Sequence, residues 1–227
     1  MFKLFQRSAK SIINNRLYST TKTLLNKDLS TYLSKEFEFE LKNKAEVNPE
    51  LPIYLQQSGY ELKQEEGGSL VELHKKYNEK EDIIIRFSIA DINIPPIQTS
   101  NVTDIKLFSK FDEFPIKCHI IISKLKKGSI LFDSVVSDGF FGFIQIKRFE
   151  NQEVQPIQAI KQIHLNSRLV GVPFEVLHEE LKSGFEDYLE VRGIDHNMAK
   201  FIRDYISFKE QNEYMRWLNS LSEHVLK

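Results

Sequence analysis

Cysteine is nearly absent from this sequence, and that scarcity removes several classes of protein at once. Cys118 is the only cysteine in 227 residues, so no intrachain disulfide can form and no cysteine-rich zinc site can exist. A secreted scaffold held together by disulfides is therefore excluded. Cys118 lies in a strand-like alternation, where we expect a small buried apolar side chain rather than a nucleophile.

Long apolar runs and catalytic motifs are also missing. No stretch approaches the ~20 apolar residues that cross a bilayer, so we expect no transmembrane segment. The chain has no phosphate-binding P-loop, GxGxxG, GxSxG or HExxH motif, and its six histidines show no close metal-ligand spacing. The sequence predicts a protein that is not an enzyme and has no cofactor or metal. An uncharacterised enzyme with a site between sheet and helices is an alternative.

Acidic residues are absent from the first 27 positions, which hold six Lys or Arg and many Ser, Thr and Asn. A basic, Ser-rich, amphipathic segment of this kind is typical of a mitochondrial transit peptide, although a disordered basic arm is an alternative. We predict a transit peptide over residues 1–18, a disordered linker over 19–27 and a single domain over 28–227, in the mitochondrial matrix. Cleavage would remove four positive charges from a net charge of −1, leaving the mature chain at −5.

Apolar residues recur every three or four positions in three segments, which predicts three helices. The first covers about residues 28–42, with Asp28 as its N-cap, and Pro49 and Pro52 follow it. The other two cover about 174–191 and 196–225.

The middle of the chain alternates apolar and polar residues, which predicts strands with one buried face and one exposed face. Gly67-Gly68, Lys127-Gly128 and Asp138-Gly139 mark hairpin turns, and residues 92–113 read as a long surface loop. Because the strands are segregated from the helices, we predict an α+β fold with an antiparallel sheet. The seven predicted strands lie near residues 59–65, 69–77, 82–91, 114–125, 129–136, 140–149 and 158–168.

The helical rhythm stops at Arg192-Gly193 and restarts after Asp195. Glycine just after a helix accepts left-handed dihedral angles, Arg192 suits the negative end of the helix dipole, and Asp195 can cap the next helix. Ile194 lies between them and is expected to be buried. These residues predict a corner between two helices.

The main charge feature lies just before and within that corner, where residues 174–195 hold seven acidic and two basic side chains, a local charge of −5. We interpret this segment as an anionic docking surface whose association with basic partners is salt-sensitive. A solvated helix face is the simpler alternative. The acidic residues are Glu175, Glu179, Glu180, Glu186, Asp187, Glu190 and Asp195.

The C-terminal sequence resembles the mitochondrial glycoprotein family, in which a helix ending YLxxRGI precedes one carrying KExxxYxxWL. This chain has YLEVRGI at 188–194 and KEQNEYMRWL at 209–218. The resemblance implies a seven-stranded, twisted antiparallel sheet with one N-terminal and two C-terminal helices, assembled as a doughnut-shaped homotrimer with an acidic surface.

The same resemblance implies a non-enzymatic matrix protein that binds basic partners such as mitochondrial ribosomal proteins, with RNA contacted indirectly. The implied role is chaperone-like support of mitochondrial ribosome assembly, translation and oxidative phosphorylation. The alternative is an RNA-binding mitochondrial translation factor, which would need a basic patch around residues 124–127 and 147–148.

Overall fold

The computed structural model describes residues 22–44, 48–92, 115–149 and 171–226. The helices in these ranges are α1 (Lys22–Lys42), α2 (Glu50–Ser58), α3 (Glu179–Glu190) and α4 (His196–Leu226), with a 3-10 turn at Phe174–Val176 before α3. The three helices that the apolar periodicity predicts are therefore present, and α2 is an addition.

The strands form one antiparallel meander, in which the spatial order follows the order along the chain. Each strand pairs with the next one in sequence, and four of the six connections are hairpin turns of two to five residues. The predicted α+β class and the seven-stranded sheet are confirmed. The strands are β1 (Glu61–Gln64), β2 (Leu70–Tyr77), β3 (Glu81–Ile92), β4 (Ile116–Lys124), β5 (Gly128–Ser137), β6 (Phe140–Phe149) and β7 (Val172–Pro173).

One face of the sheet is apolar and supports α3. Leu73, Ile85, Ile120 and Phe132 are successive cross-strand partners on β2 to β5, and all four are fully buried. Phe132 meets Phe185 of α3 edge to face, with ring centroids 5.7 Å apart. Burial of each such side chain contributes about 1.5–3 kcal/mol, so this row holds the helix on the sheet.

The turn between β5 and β6 shows why the sequence marks its hairpins clearly. Asp138 and Gly139 have φ angles of 54° and 77°. Both are positive, as a type I′ turn requires, and Asp-Gly is a favoured pair for that turn.

The first helix begins earlier than the sequence analysis predicts. It starts at Lys22, inside the segment 19–27 predicted to be a linker, so Asp28 lies within the helix and is not its N-cap. Residues 22–27 contain neither Gly nor Pro, and nothing in the local sequence stops the helix before Asp28.

Pro49 and Pro52 predict a break in helical structure, yet helix α2 forms around them. Pro49 precedes the helix and Pro52 lies in its first turn, where a backbone N–H has no intrahelical partner and proline is tolerated. The side-chain oxygen of Asn48 accepts the N–H of Glu50 at 3.0 Å. Gly59, with φ 71°, ends the helix.

Two further boundaries differ. The predicted helix 174–191 becomes a 3-10 turn followed by α3, which starts only at Glu179. The seventh strand is Val172–Pro173, whereas the strand predicted at 158–168 and the loop beyond Ile92 lie outside the described residues.

The chain divides into two compact units. The terminal-helix unit contains α1 and the part of α4 from Ile206 onward; Leu33 and Leu218 are buried in it. The sheet unit, Asn48–Tyr205, contains the sheet, α2, α3 and the first part of α4. The candidate site belongs to the sheet unit.

Candidate functional site: the acidic helix and its corner

Arg192 anchors the end of α3 to the sheet. It is only 6% exposed, although arginine is rarely buried unless it is paired. Nε and Nη2 donate to the two carboxylate oxygens of Glu81 in β3, at 2.8 and 3.0 Å. The guanidinium lies 3.5 Å from the ring centroid of Tyr188 and 4.9 Å from that of Tyr77. Its role is therefore a buried ion pair, and not only the dipole contact that the sequence predicts.

Glu81 is shared between two cations, because Lys124 of β4 also pairs with it at 2.9 Å. Burial raises the pKa of Glu81, but the hydrogen bonds from Arg192 and Lys124 outweigh it and hold that pKa below its usual value. The bond to Glu81 raises the pKa of Lys124. The carbonyl of Arg192 also accepts a hydrogen bond from the Tyr60 hydroxyl at 3.1 Å. The side chain and the carbonyl of Arg192 in YLEVRGI thus have a structural role, because their contacts hold the end of α3 in place.

The rest of the corner agrees with the sequence analysis. Gly193 has φ 81°, in the left-handed region that favours glycine. Asp195 Oδ1 accepts the N–H of Met198 at 3.0 Å, which confirms the predicted cap of α4. Ile194 is buried, as expected. Together these contacts fix the direction in which α3 presents its outer face.

Six of the seven acidic residues in the predicted docking surface are exposed, and Asp195, which caps α4, is half-buried. Within the described ranges only Glu179 among the six makes an ion pair, with Lys182 at 2.8 Å. The other basic side chain, Arg192, is buried and pairs with Glu81. The exposed set, called the acidic face below, is Glu175, Glu179, Glu180, Glu186, Asp187 and Glu190.

Helical periodicity collects most of these carboxylates on one side of α3. Positions 179, 180, 186, 187 and 190 lie within a half-turn of one another at 100° per residue, opposite Phe185, which packs on Phe132 of the sheet. Val176 and Val191, which lie just before and just after the helix, are also exposed. The exposed Leu181 lies about 100° or more around the helix from each carboxylate of α3. Gly184 has a negative φ and open space where a Cβ would stand. A ligand approaching this surface meets carboxylates bordered by apolar side chains.

The opposite face of the sheet holds a polar row that the sequence analysis assigned to solvent. Glu72, Arg86, His119, Asp133 and Gln145 are successive cross-strand partners on β2 to β6. Arg86 pairs with Glu72 at 2.6 Å, and Gln145 donates to Asp133 at 2.6 Å. His119 and Asp133 are buried. Alternation alone gives the face of each residue, whereas the row depends on the register between strands.

Two more side chains complete this row. Lys147 pairs with Asp133 at 2.9 Å, and His74 lies 2.9 Å from Glu72. Burial raises the pKa of Glu72, but the bonds to His74 and Arg86 outweigh it and lower that pKa overall. The mutual pairing of these groups indicates a structural network.

The remaining candidates for chemistry are confined to the interior. Cys118 is fully buried, as predicted, and burial raises its thiol pKa to about 12, which makes it a poor nucleophile at neutral pH. His119 follows it on β4 and points to the other face. The described ranges contain no group of three His, Cys, Asp or Glu side chains arranged to hold a metal ion.

The basic residues suggested for nucleic-acid contact are divided in the structure. Lys124 and Lys147 are committed to ion pairs with acidic residues of the sheet. Lys126, Lys127 and Arg148 are exposed. Phosphate contacts require clustered free Lys or Arg, and two of the five positions are already occupied.

The fold and the acidic face define an α+β protein built on one antiparallel meander, and two solved structures share this fold. The Trypanosoma brucei p22 protein matches with a TM-score of 0.65 and 19% identity, covering 89% of this chain and 99% of that one. A Leishmania major protein of unknown function, described as a sequence homologue of human p32, matches with a TM-score of 0.63 and 17% identity, covering 87% and 98%.

Sequence comparison identifies the family. The mitochondrial glycoprotein family profile matches residues 33–225, so this chain belongs to that family. The mitochondrial acidic protein mam33 of Schizosaccharomyces pombe is 26% identical over 215 residues, which cover 85% of this chain and 76% of that protein. An uncharacterised mitochondrial protein of Arabidopsis thaliana is 38% identical over 55 residues, 24% of this chain and 22% of that protein.

These relatives support a mitochondrial location and place the chain in a family of mitochondrial acidic proteins. Among the helices in the described ranges, none combines the length and the apolarity needed to span a membrane.

Proposed function

We propose that this protein is a non-enzymatic docking protein of the mitochondrial matrix, which binds basic partners through the acidic face of α3. The observation that carries the proposal is the state of the six exposed carboxylates. Five of them have no ion pair in the described part of the chain, and the nearby Arg192 is buried in its ion pair with Glu81. The helix therefore presents uncompensated negative charge on a rigid support.

The physics of such a surface favours a particular class of partner. Exposed charges act over about 8 Å at physiological ionic strength, so neighbouring carboxylates on α3 attract a cationic partner jointly. The exposed apolar side chains of Val176 and Val191, at the two ends of this helix, add contact area that a lysine side chain alone would not use. We infer partners that carry basic and apolar side chains together, such as mitochondrial ribosomal proteins before assembly.

This binding mode accounts for a chaperone-like role in ribosome assembly and translation, and through translation in oxidative phosphorylation. An acidic surface that holds basic proteins in a salt-sensitive way shields their charge and still releases them to ribosomal RNA. RNA would then be contacted through the clients rather than directly. The function assigned to the chain requires no catalytic residue.

A charge-neutralised variant tests the docking surface. The test variant carries Glu180→Gln, Glu186→Gln, Asp187→Asn and Glu190→Gln, and the control carries Glu38→Gln, Glu65→Gln, Glu79→Gln and Glu223→Gln, which are exposed acids outside the acidic face. Fluorescence anisotropy would follow a lysine-rich amphipathic peptide at low salt. We expect the test variant to lose at least about tenfold in affinity, ~1.4 kcal/mol, and the control to lose much less. Equal losses would show that net charge, and not this face, drives binding.

We further propose that the chain assembles as a homotrimer, as its membership of the family suggests. Tyr32 of α1 and Trp217 of α4 are 63% and 54% exposed in the single chain, which suits helices that contact other copies. Sedimentation equilibrium of residues 19–227 should give the mass of three chains. A single-chain mass across micromolar concentrations would remove the trimer from the proposal.

A further inference from the structure

The terminal-helix unit encloses a carboxylate that has no hydrogen-bond partner among the described residues. Glu40 of α1 is 0% exposed. Neither of its carboxylate oxygens has a hydrogen bond of acceptable geometry within the described ranges. An ionised carboxylate in such a place is costly, and the group reduces the cost by binding a proton.

The groups around Glu40 increase this cost. Glu36 lies one turn earlier on α1, and Glu210 faces Glu40 from α4; each carboxylate disfavours ionisation at a neighbour. The side-chain amide of Gln211 is the one nearby group whose hydrogen bonding opposes this effect, although its contact falls short of good geometry.

The buried lysine of this unit already has an ion-pair partner. Lys209 of α4 is buried, and its ammonium pairs with Glu213 at 3.1 Å. Tyr214 donates its hydroxyl hydrogen to Glu36 at 3.4 Å. Around Glu40, the titratable and charged groups on α1 and α4 are therefore Glu36, Glu210 and Lys209, and the lysine is already paired with Glu213. The positive charge of the N-terminus lowers the pKa of both Glu40 and Glu210, but burial has the larger effect on each.

The titration behaviour agrees with this arrangement. Burial, and then the charge of Glu36, raise the pKa of Glu40. Burial, and then the charge of Glu40, raise the pKa of Glu210. Because the charge of Glu40 raises the pKa of Glu210, the two titrations are coupled, and the protons leave in steps that belong to the pair.

We propose that Glu40 and Glu210 form a proton-binding pair that makes the packing of α1 against α4 tighter as the pH falls. This device belongs to the terminal-helix unit and is independent of the acidic face in α3. A carboxyl group whose pKa is higher in the folded state gives its full stability below the unfolded value of about 4.5. That stability is lost as the pH rises toward the folded value.

Trp217 provides a local readout, since it is the only tryptophan in the chain and stacks on Tyr214 with ring centroids 6.0 Å apart. Its fluorescence reports on the terminal-helix unit directly. We expect the emission of the full chain to change with pH in a transition whose midpoint lies above 4.5, the usual glutamate value. Glu40→Gln and Glu210→Gln should each shift its midpoint downward, and the double variant should abolish it.

Glu38→Gln serves as the matched control, because Glu38 lies on α1 but is exposed; it should leave the transition unchanged. Glu40→Gln should also unfold at a higher temperature than the unsubstituted chain at pH 7.5, and no higher at pH 4. The proposal is overturned if the midpoint of the transition is unchanged in Glu40→Gln, or if Glu40→Gln is less stable at pH 7.5. A transition in the unsubstituted chain at the ordinary glutamate pH would also overturn it.

Discussion

Replacing Arg192 by alanine is expected to be the most damaging single change in the sheet unit. The substitution removes both hydrogen bonds to Glu81 and the guanidinium that lies between Tyr188 and Tyr77. It leaves Glu81 nearly buried, with a side chain 11% exposed and with Lys124 as its remaining partner.

The magnitude follows from this burial. Removing one partner of a buried ion pair costs about 3–5 kcal/mol, since the other charge stays in a poorly solvated place. Loss of the contacts with the two aromatic rings adds about 0.5–2 kcal/mol. Lys124 offsets part of the cost, so we expect Arg192→Ala to lower the free energy of unfolding by about 3–5 kcal/mol. Arg192→Lys should recover only part of this, because an ammonium cannot bind both oxygens of Glu81.

Urea unfolding of residues 19–227, followed by circular dichroism at pH 7, measures these differences. Glu81→Gln and the double variant complete a thermodynamic cycle. The loss of unfolding free energy in the double variant should be smaller than the sum of the losses in the two single variants. Lys200→Ala, which breaks the exposed pair with Glu50, is the control and should change stability little. A loss below about 1 kcal/mol for Arg192→Ala would mean that the corner does not lock α3 to the sheet.

Three further outcomes are expected from the same urea measurements. Gly193→Ala should cost about 1–2 kcal/mol, because φ 81° strains any side chain while the new Cβ meets only ordinary contacts beyond 3.5 Å; no loss would contradict the left-handed corner. Asp195→Ala should cost about 1 kcal/mol through the lost cap, and Asp195→Asn much less; equal losses would contradict capping. Glu81 and Glu72 have lowered pKa values, so their stabilisation is complete above about pH 4.5 and should disappear as the pH falls below it; stability that rises on acidification through that range would contradict this assignment.

The sheet and the corner were predictable because their signals are local. Alternation and Asp-Gly pairs mark hairpins within a few residues, and the sequence Arg192-Gly193-Ile194-Asp195 contains a helix stop, a buried anchor and a cap. Each of these depends on backbone geometry close to the residue itself.

The network around Arg192 and the polar row depended on contacts between distant residues. Arg192 and Glu81 lie 111 positions apart in the chain, and nothing near either residue identifies the other. In the same way, alternation along a strand assigns Asp133 to one face of the sheet, but its partners on that face depend on the register between strands. The burial of Glu40 could not be predicted because Glu36 and Glu38 on the same helix are half-buried and exposed, and nothing in the local sequence distinguishes the three glutamates.

The most direct test of charge-driven docking is recovery of partners from mitochondrial extract by tagged residues 19–227 at two salt concentrations. The variant with four neutralised positions on the acidic face would be measured alongside. We expect basic ribosomal proteins to be recovered at low salt, to be lost at high salt and to be absent with the neutralised variant. Salt-resistant recovery of RNA, or an unchanged set of proteins with the neutralised variant, would contradict a docking function for the acidic face.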